Sequence, residues 1–119
     1  MILAIRTDKP EAELCILNSD GSVIASDRWQ AHRELSDTLL DRIEMLLKSV
    51  QEDLSSLTSI AVYQGPGSFT GLRIGITVAN TLAYSLSIPV VGAKGEYWLE
   101  AARESIARAA GEQFVIPEY

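Results

Sequence analysis

A chain of 119 residues with 47% hydrophobic and 22% charged side chains has the make-up of one globular domain, and no stretch is polar or repetitive enough to be disordered. Sixteen acidic against ten scattered basic residues give a formal charge of −6, which argues against a nucleic-acid surface on this chain alone. The single cysteine, Cys15, excludes an internal disulfide, and with no membrane-length apolar run or basic leader a cytoplasmic location is expected.

The first strand is predicted at Ile2–Arg6 and the second at Ala12–Leu17, followed by the turn Asn18-Ser19-Asp20-Gly21, in which Asp-Gly is a strong hairpin signal. Residues 22–29 return as a third strand. From Ser36 to Val50 the apolar spacing becomes helical: Leu39, Ile43, Leu46 and Val50 form one stripe with Leu40 and Leu47 beside it, and Ser36 is the expected N-cap. Residues 58–63 form a buried fourth strand. A second helix runs from Phe69 to Ser87 and is ended by Pro89, after which Val90-Val91 make a brief fifth strand. A third helix is expected over Gly95–Ala110 with Gly111 as its stop, and Gln113–Ile116 has the pattern of a further strand.

Between the fourth strand and the second helix lies the run Gly65-Pro66-Gly67-Ser68-Phe69-Thr70-Gly71-Leu72-Arg73-Ile74-Gly75. A glycine-rich junction of this kind presents backbone N–H groups and the positive end of a helix dipole, which suits an anion. It matches neither a Walker A motif nor a Gly-x-Gly-x-x-Gly fingerprint. Gly65, Gly67, Ser68, Thr70, Gly71 and Arg73 are therefore candidates for a nucleotide or phosphate loop. The plainer reading is a tight turn at Gly65 and Gly67 with Ser68 capping the helix, since a cap alone contributes about 1 kcal/mol.

Along the second helix Gly71, Gly75, Ala79 and Ala83 recur every four residues as a ridge of small side chains. Glycine inside a helix costs about 0.5–1 kcal/mol relative to alanine, so Gly75 marks a close approach, either by the sheet or by another chain. With Leu72, Ile74, Ile76, Val78, Leu82 and Leu86 the helix is apolar nearly all round and calls for cover on two sides. Leu39, Leu40, Ile43, Leu47, Gly71, Leu72, Gly75, Ile76, Ala79 and Ala83 are the residues expected at a partner interface.

A phosphotransferase or nuclease built on these elements needs an acidic residue near the end of the first strand to hold a metal or position water. Arg6 stands there, and a cation cannot ligate a metal; Asp8 falls outside the strand pattern. His32 lies among polar residues, Cys15 has no activating neighbour, and Trp98 and Tyr97 read as packing or interface residues. No catalytic set assembles.

The order β-β-β-α-β-α-β-α, antiparallel first and crossover-linked afterwards, resembles the ribonuclease-H-like unit of actin and Hsp70-type ATPases: an α/β domain with a mixed five-stranded sheet and helices on its faces. The glycine run closely resembles the signature of the TsaB (YeaZ) family. Residues 1–7 resemble its ILAIDTS opening, Glu34–Leu40 its EHSETLL segment, and Ile88–Gly92 its strand before the third helix. The resemblance implies a non-catalytic subunit, without metal or cofactor, of the complex that makes threonylcarbamoyladenosine at position 37 of tRNA. It implies pairing with the catalytic subunit TsaD through the first two helices, an ATPase, TsaE, as a further partner, and only indirect contact with tRNA; the large apolar helical surface would, in isolation, serve as a homodimer seam instead. Arg6 and Leu35 replace the family's aspartate and histidine, which removes polar groups near a nucleotide. Family members carry a second, smaller domain, so residues 1–119 are expected to be the first domain alone. The competing reading is a small nucleotide-binding phosphatase or kinase-like enzyme that uses the 65–75 loop on phosphates.

Overall fold

The computed structural model describes residues 1–67 and 69–107 of the chain. Three strands open it: β1 (Ile2–Arg6), β2 (Glu11–Leu17) and β3 (Val23–Gln30). β1 and β2 pair antiparallel with Ile5 opposite Leu14, and β2 and β3 pair antiparallel with Ala12 opposite Trp29. The expected hairpin turn is present. Gly21 takes φ +89, the Gly21 N–H donates to the Asn18 carbonyl at 2.9 Å, and Asp20 Oδ1 accepts from the Ser22 N–H at 2.9 Å. Those contacts hold the Asp20 carboxyl below the usual carboxylate range.

Helix α1 (Leu35–Ser49) follows a 3-10 turn at His32–Glu34. Ser36 is not its N-cap. The 3-10 turn carries the backbone into the helix two residues early, so Ser36 lies within the first turn and no side chain caps it. Thr38 ties this entry to the sheet instead: its hydroxyl donates to the Glu34 carbonyl at 2.9 Å and accepts from the Trp29 indole N–H at 3.2 Å. Arg42 adds an ion pair to Asp27 of β3 at 3.1 Å and stacks 5.0 Å from the Trp29 ring.

β4 (Ser59–Gly65) runs parallel to β1, with Ile2 opposite Ser59, and extends two residues past the predicted strand. α2 (Phe69–Leu86) is followed by β5 (Val90–Lys94), parallel to β4 and longer than expected, and by α3 (Trp98–Ala107). α3 starts three residues later than predicted because Gly95, at φ +78, belongs to the turn. The expected stop at Gly111 and the strand at 113–116 lie outside the described residues.

The five strands form one mixed sheet in the order β3-β2-β1-β4-β5. Side chains alternate across it. Ala12, Leu14, Ile5 and Val62 point towards α1 and α2, whereas Tyr63 points to α3, where its ring meets Trp98 edge-on at 6.0 Å. The core lies mainly between the sheet and α1/α2, where Leu3, Leu39, Ile43, Leu47, Ile60, Leu72 and Ala79 are fully buried. No helix among the described residues is long and apolar enough to cross a membrane.

Candidate functional site

The glycine-rich loop lies where the carboxyl ends of β1 and β4 meet the start of α2. Gly65, buried at φ +132, ends β4, and Gly67 is exposed on the loop. Ser68 lies outside the described residues. Three contacts from the β1 end define the site. The Thr7 hydroxyl, 2% exposed, donates to the Gly71 carbonyl at 2.7 Å. Thr7 also explains Gly75: a β-carbon there would stand 2.1 Å from the Thr7 hydroxyl oxygen. At Gly67 a β-carbon would lie 2.5 Å from that of Asp8. Glycine at 67 and 75 is thus required by close approach of the chain's own strand end.

Arg6 and Asp8 complete this corner. Arg6 Nε donates to Asp8 Oδ1 at 2.7 Å and Nη2 to Oδ2 at 3.2 Å, a two-pronged pair with side chains 16% and 7% exposed. The guanidinium also lies 4.1 Å from the centre of the Tyr63 ring, and the Tyr63 hydroxyl donates to the Pro66 carbonyl at 2.8 Å. The bond to Asp8, more than any other contact, raises the Arg6 pKa above its ordinary value. Arg6 is therefore a braced cation, and the β1 end has a positive group where metal-dependent members of such folds need a negative one.

The remaining loop candidates do not converge on this corner. Arg73 is two residues beyond Gly71, about 200° around the helix, so it lies on the far side of α2 from Gly71 and Gly75. It lines a groove of about 370 Å³ with Thr70, Ser36, Ile74, Thr77 and Val78, on the outside of α1 and α2. Arg73 is thus separated from Gly71 and Gly75, and shares the outer groove with Thr70.

Most of the residues expected at a partner surface are inside the molecule. Leu39, Ile43, Leu47, Leu72, Gly75, Ile76, Ala79 and Ala83 are buried by the chain itself, Gly71 is half-buried, and Leu40 is 43% exposed. The small-residue ridge of α2 serves the sheet: it lets the helix settle on β1 and β4, and Thr7 fills the space left at Gly75. What remains accessible is the opposite face, with Thr77, half-buried Ile74 and Val78, and Tyr84 at 70% exposure. Thr7 and Tyr63 were not singled out from the sequence; the cost of a glycine at 75 was the one signal that something must approach there.

Cys15 is half-buried on the sheet face away from α1, and burial, with Glu13 adding to it, pushes its thiol above the ordinary value. A raised pKa leaves less thiolate near pH 8, so alkylation by iodoacetamide is expected to be about tenfold slower in the folded protein than in urea. Equal rates in both conditions would contradict this environment. Among the described residues no group of three or more His, Cys, Asp or Glu side chains is placed to hold a metal ion.

Residues 23–114 match the family model for TsaD, tRNA N6-adenosine threonylcarbamoyltransferase. The tRNA threonylcarbamoyladenosine biosynthesis protein TsaB of Bacillus subtilis is 38% identical over 89 residues, which are 75% of this chain and 38% of that protein. TsaB of Escherichia coli is 35% identical over 91 residues, 76% of this chain and 38% of its own length. The solved structure of YeaZ from Pseudomonas aeruginosa superposes with a TM-score of 0.71 at 32% identity, covering 78% of this chain and 43% of that one. The chain thus spans less than half the length of these relatives, and its sheet order and helix placement are those of an actin-type, ribonuclease-H-like domain. By its signature loop, its sheet and these similarities, the chain belongs to the TsaB (YeaZ) family.

Proposed function

We propose that the chain is a non-catalytic docking subunit in tRNA threonylcarbamoyladenosine biosynthesis, acting in the cytoplasm. It would pair with a TsaD-type catalytic subunit, which carries the contact with tRNA, while a TsaE-type ATPase joins the assembly. Residues 1–119 form the ribonuclease-H-like domain that does the docking.

The observation that carries this reading is the groove on the outer side of α2. It combines half-buried Ile74 and Val78 with the polar groups of Ser36, Thr70, Arg73 and Thr77, and exposed Leu40 and Tyr84 belong to the same two helices. Apolar side chains set among polar ones suit a specific protein interface better than a catalytic cleft. The braced Arg6 at the strand end supports the non-catalytic half of the reading. In the absence of TsaD the same groove supports self-association in a symmetric dimer.

The experiment mixes the protein with TsaD from the same organism and follows binding by calorimetry or sedimentation. Wild type is expected to bind at about 10 μM or below. Thr77→Arg places a long cation in the groove from an exposed helical position, so the melting temperature should stay within a few degrees while affinity falls about tenfold or more. Wild-type protein that fails to bind TsaD, or binding indifferent to Thr77→Arg, removes the proposal. Magnesium-dependent nucleotide hydrolysis by the chain alone would favour the enzyme reading instead.

A further inference from the structure

We infer that the pocket at the carboxyl end of α1 receives a long basic side chain, arginine or lysine, from the TsaD-type partner. This rests on the docking role proposed above and names the chemistry of one contact within it.

The pocket, about 280 Å³, lies between α1 and the short 3-10 turn Leu54–Ser56 that leads towards β4. Its base is apolar: Leu47 is fully buried, and half-buried Leu54 packs against the same core. Three carboxylates, Glu44, Glu52 and Asp53, stand around that base against a single cation, Lys48. Among the described residues Lys48 forms an ion pair with none of them. Exposed Glu44 likewise makes no ion pair or side-chain hydrogen bond among the described residues. The far wall is fixed before anything binds. The Glu52 N–H donates to the Leu47 carbonyl at 2.9 Å, and Asp53 Oδ1 accepts from the Ser55 N–H at 2.9 Å. Glu52 Oε2 accepts from the Ser56 hydroxyl at 2.5 Å. Two of the three carboxylates are thus held in place, and little side-chain freedom is lost by them on binding.

Apolar base and acidic rim select the occupant together. A purely apolar side chain would cover Leu47 and Leu54 but leave the rim without a partner. A metal ion needs several oxygens converging on one point, and among the described residues no group of three or more such side chains is placed to hold one. A long basic side chain meets both demands: its methylene stem lies on the leucines while its charged head reaches the carboxylates. The pocket also continues the proposed docking face. Glu44 follows exposed Leu40 by one turn on the same side of α1, and Leu40 follows Ser36 of the outer groove by another.

The test follows binding of TsaD from the same organism to the full chain by calorimetry, at about 50 and about 300 mM sodium chloride. Wild-type affinity should fall about tenfold across this range. Glu44→Gln removes the rim carboxylate that no internal bond uses, so its melting temperature should stay within a few degrees of wild type. It should bind about fivefold more weakly at low salt and lose most of the salt dependence. Glu44→Arg, which places a like charge against the incoming head, should bind about thirtyfold more weakly. Glu100→Gln removes the same charge from α3, on the other face of the sheet, and should bind like wild type. If wild type binds and the Glu44 variants match it in affinity and salt dependence, this inference is overturned and the docking role stands. An equal loss in Glu100→Gln and Glu44→Gln also overturns it, because net charge alone would then be at work. Wild type that fails to bind TsaD overturns both.

Discussion

Ala79→Arg should abolish folding outright. Ala79 is fully buried in the third turn of α2, among Leu39, Ile43 and Leu72 of the core beneath α1. A guanidinium there must displace close-packed side chains and give up its water with no buried partner, a penalty above about 5 kcal/mol and comparable to the whole stability of a domain this size. The variant should show no cooperative thermal transition by circular dichroism and should accumulate as insoluble protein. If it instead melts within a few degrees of wild type, the placement of α2 against the sheet is wrong. The contrast with Thr77→Arg, two residues earlier and exposed, separates the two faces of one helix. Loss of TsaD binding by Ala79→Arg carries no information about docking, because the protein is no longer folded.

The second large effect is at Gly75. Alanine is normally the better helix residue, and on propensity alone Gly75→Ala should stabilise α2 by about 1 kcal/mol. The structure reverses the sign. The new methyl would lie 2.1 Å from the Thr7 hydroxyl and 3.1 Å from Thr7 Cβ and Cγ2, and Thr7 cannot turn away without breaking its bond to the Gly71 carbonyl. Overpacking together with a lost buried hydrogen bond should leave a net destabilisation of about 3 kcal/mol, read as a lower urea midpoint with unchanged slope. Thr7→Ala loses the hydrogen bond and a buried methyl group but relieves no clash. In the double variant the alanine methyl meets only a Cβ, so it should be more stable than the sum of the two single losses. Strict additivity would show that Thr7 is not what Gly75 accommodates.

β2 was legible because its burial alternates, β1 and β4 because they are short, unbroken apolar runs. Ala12, Leu14 and Ile16 are buried while Glu13 and Cys15 are half-exposed, and Asp20-Gly21 forms the turn its residues demand. Helix ends were harder. α1 and α2 are both closed by non-glycine residues at positive φ, Gln51 at 61 and Ser87 at 56, with Glu52 bonding back to Leu47 and Ile88 to Ala83. Such caps leave no glycine for a reader to find. At the site, the cost of glycine showed that something comes close to position 75, but not what. Its neighbour, Thr7, is more than sixty residues away and arrives there through the parallel pairing of β1 with β4. The same pairing hid the fate of the apolar helices. Leu39, Leu72 and Ala79 read as surplus grease along each helix taken alone, and become interior once α1 and α2 lie side by side on one sheet.

The central position of β1 has a consequence for biosynthesis. On the ribosome the β1–β2–β3 meander emerges before the rest of this domain, and its residues can pair as soon as Gln30 is free. Its middle strand-to-be, however, waits for Ser59–Gly65 to supply the other flank, and until then Leu3 and Ile5 lack the shelter of β4 and α2. A nascent chain stalled before the fourth strand therefore carries an unfinished, sticky ribbon, and its completion depends on the slow, distant contact that closes the sheet.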